Sequence, residues 1–185
     1  DVTLFHWGKV FFDGVRSFKL FYEPLWNTLK VSLFSSILAI IIGGSFAWLV
    51  TRTNMQLKSF ISVVFIFPYI MPSWTLAMAW LNFFRNELIG GAPGLFTAIT
   101  GIRTANWFAY GLFPTSVVLG LHYSPFAYIL IGGILRNMDA NLEEAALILK
   151  TSRIKIIARI NLPIIMPAIL STFLLVFSSS MSAFA

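Results

Sequence analysis

Apolar residues fall in four long blocks, separated by short polar stretches, and no block shows the apolar–polar alternation of a half-buried strand. Residues 27–50, NTLKVSLFSSILAIIIGGSFAWLV, hold one charge, Lys30, near their start. Residues 59–84, SFISVVFIFPYIMPSWTLAMAWLNFF, hold none, and residues 113–135, FPTSVVLGLHYSPFAYILIGGIL, carry no formal charge with His122 neutral. A fourth run begins at Ile164 and is still apolar at Ala185. Each approaches or exceeds the ~20 residues a helix needs to cross a ~30 Å hydrocarbon core. The pattern predicts an all-α fold, a polytopic transmembrane helical bundle with spans at about 27–50, 59–84, 113–135 and 164–185. The start at Asp1 and the open run at Ala185 lead to the expectation of a piece of a longer chain.

Composition sharpens this reading. The chain is 58% hydrophobic and 11% charged, against roughly 25% charged in soluble domains. A water-soluble fold of 185 residues has too little polar surface to cover so much apolar area. Nineteen Phe and six Trp suit spans and interface belts. The net charge of +6 comes from thirteen basic residues that are dispersed along the chain, so no nucleic-acid partner is expected. Cysteine is absent, which removes disulfides and Cys-ligated metal sites. No metal cage is legible, and no nucleophile–base–acid set supports a membrane-anchored enzyme.

Orientation follows the basic residues of the short connections. The turn 51–58 carries Arg52 and Lys58, and the polar stretch after the third span carries Arg136, Lys150, Arg153, Lys155 and Arg159. Opposite them stand Arg85, Arg103, Lys9, Arg16, Lys19 and Lys30, spread over a longer stretch. Charge density puts the first set on the cytoplasmic side and residues 1–26 and 85–112 outside. Residues 1–26 are expected as an outer interfacial segment, since 4–22 alternate aromatic and basic side chains that can snorkel against lipid. Residues 86–101, NELIGGAPGLFTAITG, predict turns around a short helix, either an ordinary outer loop or part of a surface that receives a substrate-bearing partner.

Irregularities inside the spans are candidates for a pathway or hinge. Pro68 and Pro72 each remove a backbone donor and free a carbonyl one turn earlier, which neighbouring helices, side chains or cavity water must satisfy. They either kink the helix for packing or bend it beside a translocation path. Pro125 repeats the problem in the third span, one turn after His122. A lone intramembrane His without carboxylates reads first as a hydrogen-bonding group facing protein, and second as a ligand or proton relay. Gly43-Gly44 and Gly132-Gly133 mark places for close helix approach. Ser178, Ser179, Ser180 and Ser182 make the last span hydroxyl-rich, lining a passage or joining helices.

Residues 141–163, NLEEAALILKTSRIKIIARINLP, form a charged island between apolar blocks. Asn141 and Glu144 have capping-box spacing. Leu142, Ala145, Ala146 and Leu149 recur at i, i+3, i+4, i+7, an apolar stripe kept small by its two alanines. The chain turns at Thr151-Ser152 into a second short segment, where Arg153, Lys155 and Arg159 alternate with isoleucines, and Pro163 begins or enters the next span. Segments this short need support from the spans or from a partner. A docking element at the membrane surface is the reading this pattern favours.

The island also resembles a known signature. The membrane-spanning permeases of binding-protein-dependent ABC importers, which serve maltose, methionine and other solutes, carry Glu-Ala-Ala, three residues, Gly, nine residues, Ile, one residue, Leu-Pro. Glu144-Ala145-Ala146 and Ile160-x-Leu162-Pro163 stand at that spacing, and NTLKVSLFSS with Gly44, Ala47 and Leu49 is similar to the start of the family's core. The resemblance covers residues 27–185, with its context nearest the permeases for iron(III) or related small oxyanion, phosphonate or polyamine systems, iron(III) first among them. It implies a cytoplasmic coupling helix-turn-helix in a bacterial or archaeal cytoplasmic membrane, with Glu144, Ala145, Ala146, Leu149, Lys150, Ser152, Arg153, Ile160, Leu162 and Pro163 facing the ATPase. The implied partners are a cytoplasmic ABC ATPase dimer, a second permease subunit or half, an extracytoplasmic solute-binding protein and membrane lipid. ATP would sit on the partner subunit, with no cofactor on this chain, which has no GxxxxGK[ST] loop. One position departs from the signature: the family's Gly is Lys150, a backbone cost if that residue needs positive φ. A secondary transporter or channel, and a structural membrane scaffold, remain the competing readings.

Overall fold

The computed structural model describes residues 5–139 and 141–183, and is helical in all its regular elements. The first four residues of the expected outer segment and the last two of the fourth apolar run lie outside that range. Helix α1, Phe5–Phe12, turns at Asp13 into α2, Gly14–Arg52. Gly14 makes the corner possible with φ +53°. Buried Ser17 ties it, since its hydroxyl accepts from the Asp13 N–H at 2.7 Å and donates to the Lys9 carbonyl at 3.0 Å.

The first span is thus longer than its apolar run. Residues 14–26 continue into it without a break, and α2 has 39 residues. At roughly 1.5 Å per residue it reaches about 58 Å, well beyond the bilayer core. A π-turn over Phe18–Tyr22 precedes Pro24, widening the backbone where the proline ring would strike the carbonyl one turn back.

The second apolar block is two helices, α3 (Lys58–Ile70) and α4 (Ser73–Phe84), bent by 97°. Pro72 causes the break. It offers no N–H to the Pro68 carbonyl, and it forces the residue before it out of the helical region; Met71 has ψ 141°. After α4 come a short helix α5 (Leu95–Thr100) and α6 (Asn106–Ala109). Buried Asn86 organises this expected turn-and-helix stretch. Its Nδ2 donates to the Thr104 carbonyl and to Asn106 Oδ1, while the Tyr110 hydroxyl accepts from its N–H and donates to its carbonyl.

Helix α7, Leu112–Asn137, packs along α2 in parallel: Ser35 Oγ donates to the Ser116 carbonyl, Gly43 meets Ser124 and Ala127, and Arg52 reaches the Met138 carbonyl. Lipid gives helices no hydrophobic reason to associate, so contact depends on small residues that let backbones approach. Ser35, Ala39, Gly43 and Ala47, four apart and all buried, supply that seam on α2. After α7 come the short helix α8 (Asn141–Ile148) and a final helix α9, Arg153–Ser182. Helix α9 returns antiparallel to α2, with Ala168 buried in one cluster with Ala47, Ala127, Tyr128, Ile131 and Leu135. Helices α2 and α9, and the stretch Asn106–Asn137, are each long and apolar enough to cross a membrane, so this is a multi-pass membrane protein.

Candidate functional site

The charged island sits where α2 and α7 end. Helix α8 finishes in a Schellman arrangement: the Thr151 N–H bonds the Ala146 carbonyl at 3.0 Å and the Lys150 N–H bonds the Leu147 carbonyl at 2.9 Å. Lys150 occupies the left-handed position of that motif, with φ +53°. This is the place where a glycine fits without a Cβ penalty, so the signature's glycine has its physical reason here and Lys150 carries the cost. A left-handed L-residue costs roughly 1–2 kcal/mol, and glycine costs roughly 0.5–1 kcal/mol in unfolded-state entropy. Lys150→Gly is therefore expected to stabilise the protein by about 0.5–1 kcal/mol, read as a higher thermal midpoint in detergent. A lowered midpoint would contradict this account.

Two sequence expectations change in detail. Asn141 is the first helical residue of α8 and its N–H is held by Asp139 Oδ1 at 2.9 Å, so the Asn141–Glu144 capping box does not form. The cap role went to Asp139 because a carboxylate two residues ahead reaches the same orphan amide. The stripe of Leu142, Ala145, Ala146 and Leu149 also divides. Ala146 turns half-buried toward the bundle beside Glu143, while Leu142, Ala145 and Leu149 are exposed together with Ile148. The result is an apolar ridge standing out from the end of the bundle, with Leu149 at 80% and Ile148 at 81% exposure. Glu144 is exposed on the same short helix, and Arg153, Lys155 and Arg159 are exposed on the segment that follows the turn.

Ser152 takes the N-cap position of α9, with φ −67° and ψ 146°, but its hydroxyl makes no capping bond. The second short segment is not a separate helix. It continues through a π-turn at Ile157–Asn161 directly into the last span. Pro163 supplies the reason: the widened turn removes the clash its ring would make with the Arg159 carbonyl. Ile156 and Asn161 are buried, Ile160 is half-buried, and Leu162 and Pro163 are exposed. Force applied to this segment therefore acts on the span itself.

Of the pathway candidates, three are gathered at the α3–α4 bend. His122 Nδ1 lies 3.0 Å from the Pro68 carbonyl oxygen, the acceptor that Pro72 leaves without its helical partner. A carbonyl only accepts, so Nδ1 carries the proton. Pro125 is buried in α7, and its orphan, the Leu121 carbonyl, accepts from Ser124 Oγ at 2.9 Å. Ser179 is not part of this group: it is exposed on α9, while its neighbour Ser180 is buried. Beyond the bend, α4, the start of α7 and the residues just before it line an open cleft of about 420 Å³, with Trp74, Trp80, Leu81, Tyr110 and Leu119 among its walls. Among the described residues no group of three or more His, Cys, Asp or Glu is placed to hold a metal.

Sequence reasoning missed the contact that binds the island to the bundle. Arg52 Nε and Glu143 Oε1 are 2.9 Å apart, with side chains only 14% and 20% exposed. Each residue is visible in the sequence as a charge beside a helix end, but nothing local pairs them.

Comparison with known proteins agrees with this architecture. The family described as the binding-protein-dependent transport system inner membrane component matches residues 32–185. The chain is 30% identical over 161 residues to a probable sulfate transport system permease protein, cysT, of Helicosporidium sp. subsp. Simulium jonesii, covering 85% of this chain and 56% of that one. It is 27% identical over 164 residues to the ferric transport system permease protein FbpB of Actinobacillus pleuropneumoniae, covering 86% and 23%. It is 25% identical over 176 residues to the spermidine/putrescine transport system permease protein PotB of Escherichia coli, covering 89% and 59%. The chain thus spans between about a quarter and three-fifths of the length of these curated relatives.

Proposed function

Because this chain belongs to the family of binding-protein-dependent transport system inner membrane components, we propose that it is the permease part of an ATP-driven importer whose α8 ridge docks into a separate cytoplasmic ATPase. The observation that carries the reading is the exposed ridge of Leu142, Ala145, Ile148 and Leu149 beside Glu144, joined by one tight turn to a helix that becomes a membrane span. An apolar ridge with one small residue fits a groove closely, and the charges near it select orientation. Closure of the ATPase dimer on ATP would then move α9 as a lever, and the α3–α4 bend with it. Glu144, Ala145, Leu149 and Arg153 make the docking surface; Lys150 and Ser152 form its turn; Ala146, Ile160, Leu162 and Pro163 set how the turn joins the bundle.

A second permease subunit or half would complete the path, an extracytoplasmic solute-binding protein would deliver the solute, and a bacterial or archaeal cytoplasmic membrane would hold the assembly. The substrates named for the relatives are ferric iron, sulfate, spermidine and putrescine. They share small size and charge, so we propose a small charged solute, with ferric iron first in order of testing. Uptake of radiolabelled iron, sulfate and spermidine by the full-length chain with its ATPase separates them.

The docking test places a single cysteine at Ala145 of the complete chain and another along the ATPase groove. These 185 residues hold no cysteine, and any elsewhere in the complete chain is first replaced by serine to keep background labelling low. ATP-sensitive crosslinking supports the reading; with insertion and reagent access confirmed, its absence at every groove position removes it. Glu144→Arg is expected to insert normally and to weaken ATPase association about tenfold, the size of a lost charge-assisted contact of ~1.4 kcal/mol. Unchanged co-purification would remove Glu144 from the docking surface.

A further inference from the structure

Arg52 is the last residue of α2, and Glu143 lies in the first turn of α8. Both ends favour the charge they carry, a cation at a helix C-terminus and an anion at an N-terminus. The two contacting atoms are sealed from solvent and neither makes a hydrogen bond, so the 2.9 Å ion pair is what compensates each charge. The second arm of the guanidinium, Nη2, reaches the carbonyl of Met138 at 3.4 Å, where α7 ends. One side chain therefore joins the ends of two long helices to the start of the short one.

Little else holds α8 in place. Glu143 and Ala146 are its half-buried positions, and the remaining residues from Asn141 to Ile148 are exposed. Its covalent link to α9 is the turn at Lys150, Thr151 and Ser152, which has no capping hydroxyl bond and contains a residue at positive φ. Residues 138–140 join its other end to α7, so α8 is held by a chain connection at each end and can roll about the line between them when pushed. A side-chain attachment off that line converts the roll into a rigid connection. A buried ion pair suits that task, because separating it leaves an uncompensated charge out of water.

We infer that the Arg52–Glu143 pair is a latch that makes α8 and α2 one rigid body, so that displacement applied to α8 is delivered into α2 and, through the Gly43–Ser124 seam, into α7. Arg52 and Glu143 are positioning residues in this scheme, distinct from the residues of the docking ridge. The inference rests on the docking reading for the source of the displacement. The latch itself is a property of this chain.

The test uses the complete chain with spin labels on cysteines placed at Leu147, exposed on α8 but outside the docking ridge, and at Leu49, an exposed position near the end of α2. Distances are measured in lipid nanodiscs for the chain alone, and for the complex with a cysteine-free ATPase, nucleotide-free and trapped with ATP and vanadate. The wild-type pair is expected to give one narrow distance in every state. Glu143→Gln and Arg52→Gln should lose that narrow distance, and Arg52→Lys, which keeps the charge, should retain it. Rescue by lysine separates a charge latch from simple loss of packing. A wild-type distribution in both glutamine variants overturns the latch, and so does a lysine variant as broad as Arg52→Gln. If the ATPase fails to bind the wild-type chain, the docking reading falls, while the measurements on the chain alone still decide the latch.

Discussion

Gly43→Leu is expected to prevent the α2–α7 pair from closing. A Cβ at Gly43 would overlap the Ser124 carbonyl oxygen and lie 2.7 Å from Ala127 Cβ and 2.8 Å from the Tyr128 backbone nitrogen. Two of those three neighbours are backbone atoms, which no rotamer change relieves. Overpacking a filled core costs roughly 1–3 kcal/mol where side chains can adjust; here helices must separate, so we expect the upper end of that range or more. The separation would also expose buried Ser35 and Ser124, whose hydroxyls bond helix carbonyls across and within the seam. The measurement is the thermal midpoint and monodispersity of the detergent-purified full-length protein. Gly133→Leu is the control, because a Cβ there meets nothing within 4 Å, and it should behave as wild type. Equal midpoints for the two variants would refute the seam as the element that sets helix approach.

His122→Leu carries the second large effect. Pro72 cannot donate to the Pro68 carbonyl, and His122 Nδ1–H takes that role at 3.0 Å. Leucine fills similar space but leaves the carbonyl without its donor, in a place where the His122 ring packs on Tyr69 and Tyr69 on Phe126. An unsatisfied buried acceptor costs roughly 1–3 kcal/mol, and within lipid there is no bulk water to repair it. His122→Asn keeps a donor near the same position and should recover part of the loss. Thermal unfolding of the three proteins checks this. A leucine variant as stable as wild type would mean that water or another group satisfies the carbonyl.

The same two sites show how far a sequence carries. Pro68 and Pro72 announced an orphaned carbonyl, because the missing proline N–H is a covalent fact. Which side chain would answer was beyond reach, since His122 is far away along the chain and on another helix. The glycine pairs 43–44 and 132–133 were legible as places of close approach, yet only Gly43 sits with its Cβ position inside a neighbour's backbone, whereas Gly133 meets nothing. The difference is helix rotation, which local pattern does not report. In the island, the Glu-Ala-Ala spacing and the cost of Lys150 at a positive φ were readable in advance. The capping box failed because Asp139 competes for the same amide with equal chemistry and better reach.

A helical membrane bundle, the positions of its apolar blocks and the charged stretch that stands apart from them were all legible in the order of residues alone. Those properties follow from solvation: about twenty apolar residues in a row have one stable environment, and a charge-rich stretch has another. Three-dimensional packing fixed that α2 and α7 lie directly against each other, that the second block bends by 97°, that the island's second segment is the start of a span, and that Arg52 meets Glu143. Each of these depends on rotation and register between distant helices. In lipid, those are set by shape and by pairing of buried polar groups, because hydrophobicity is the same on every face.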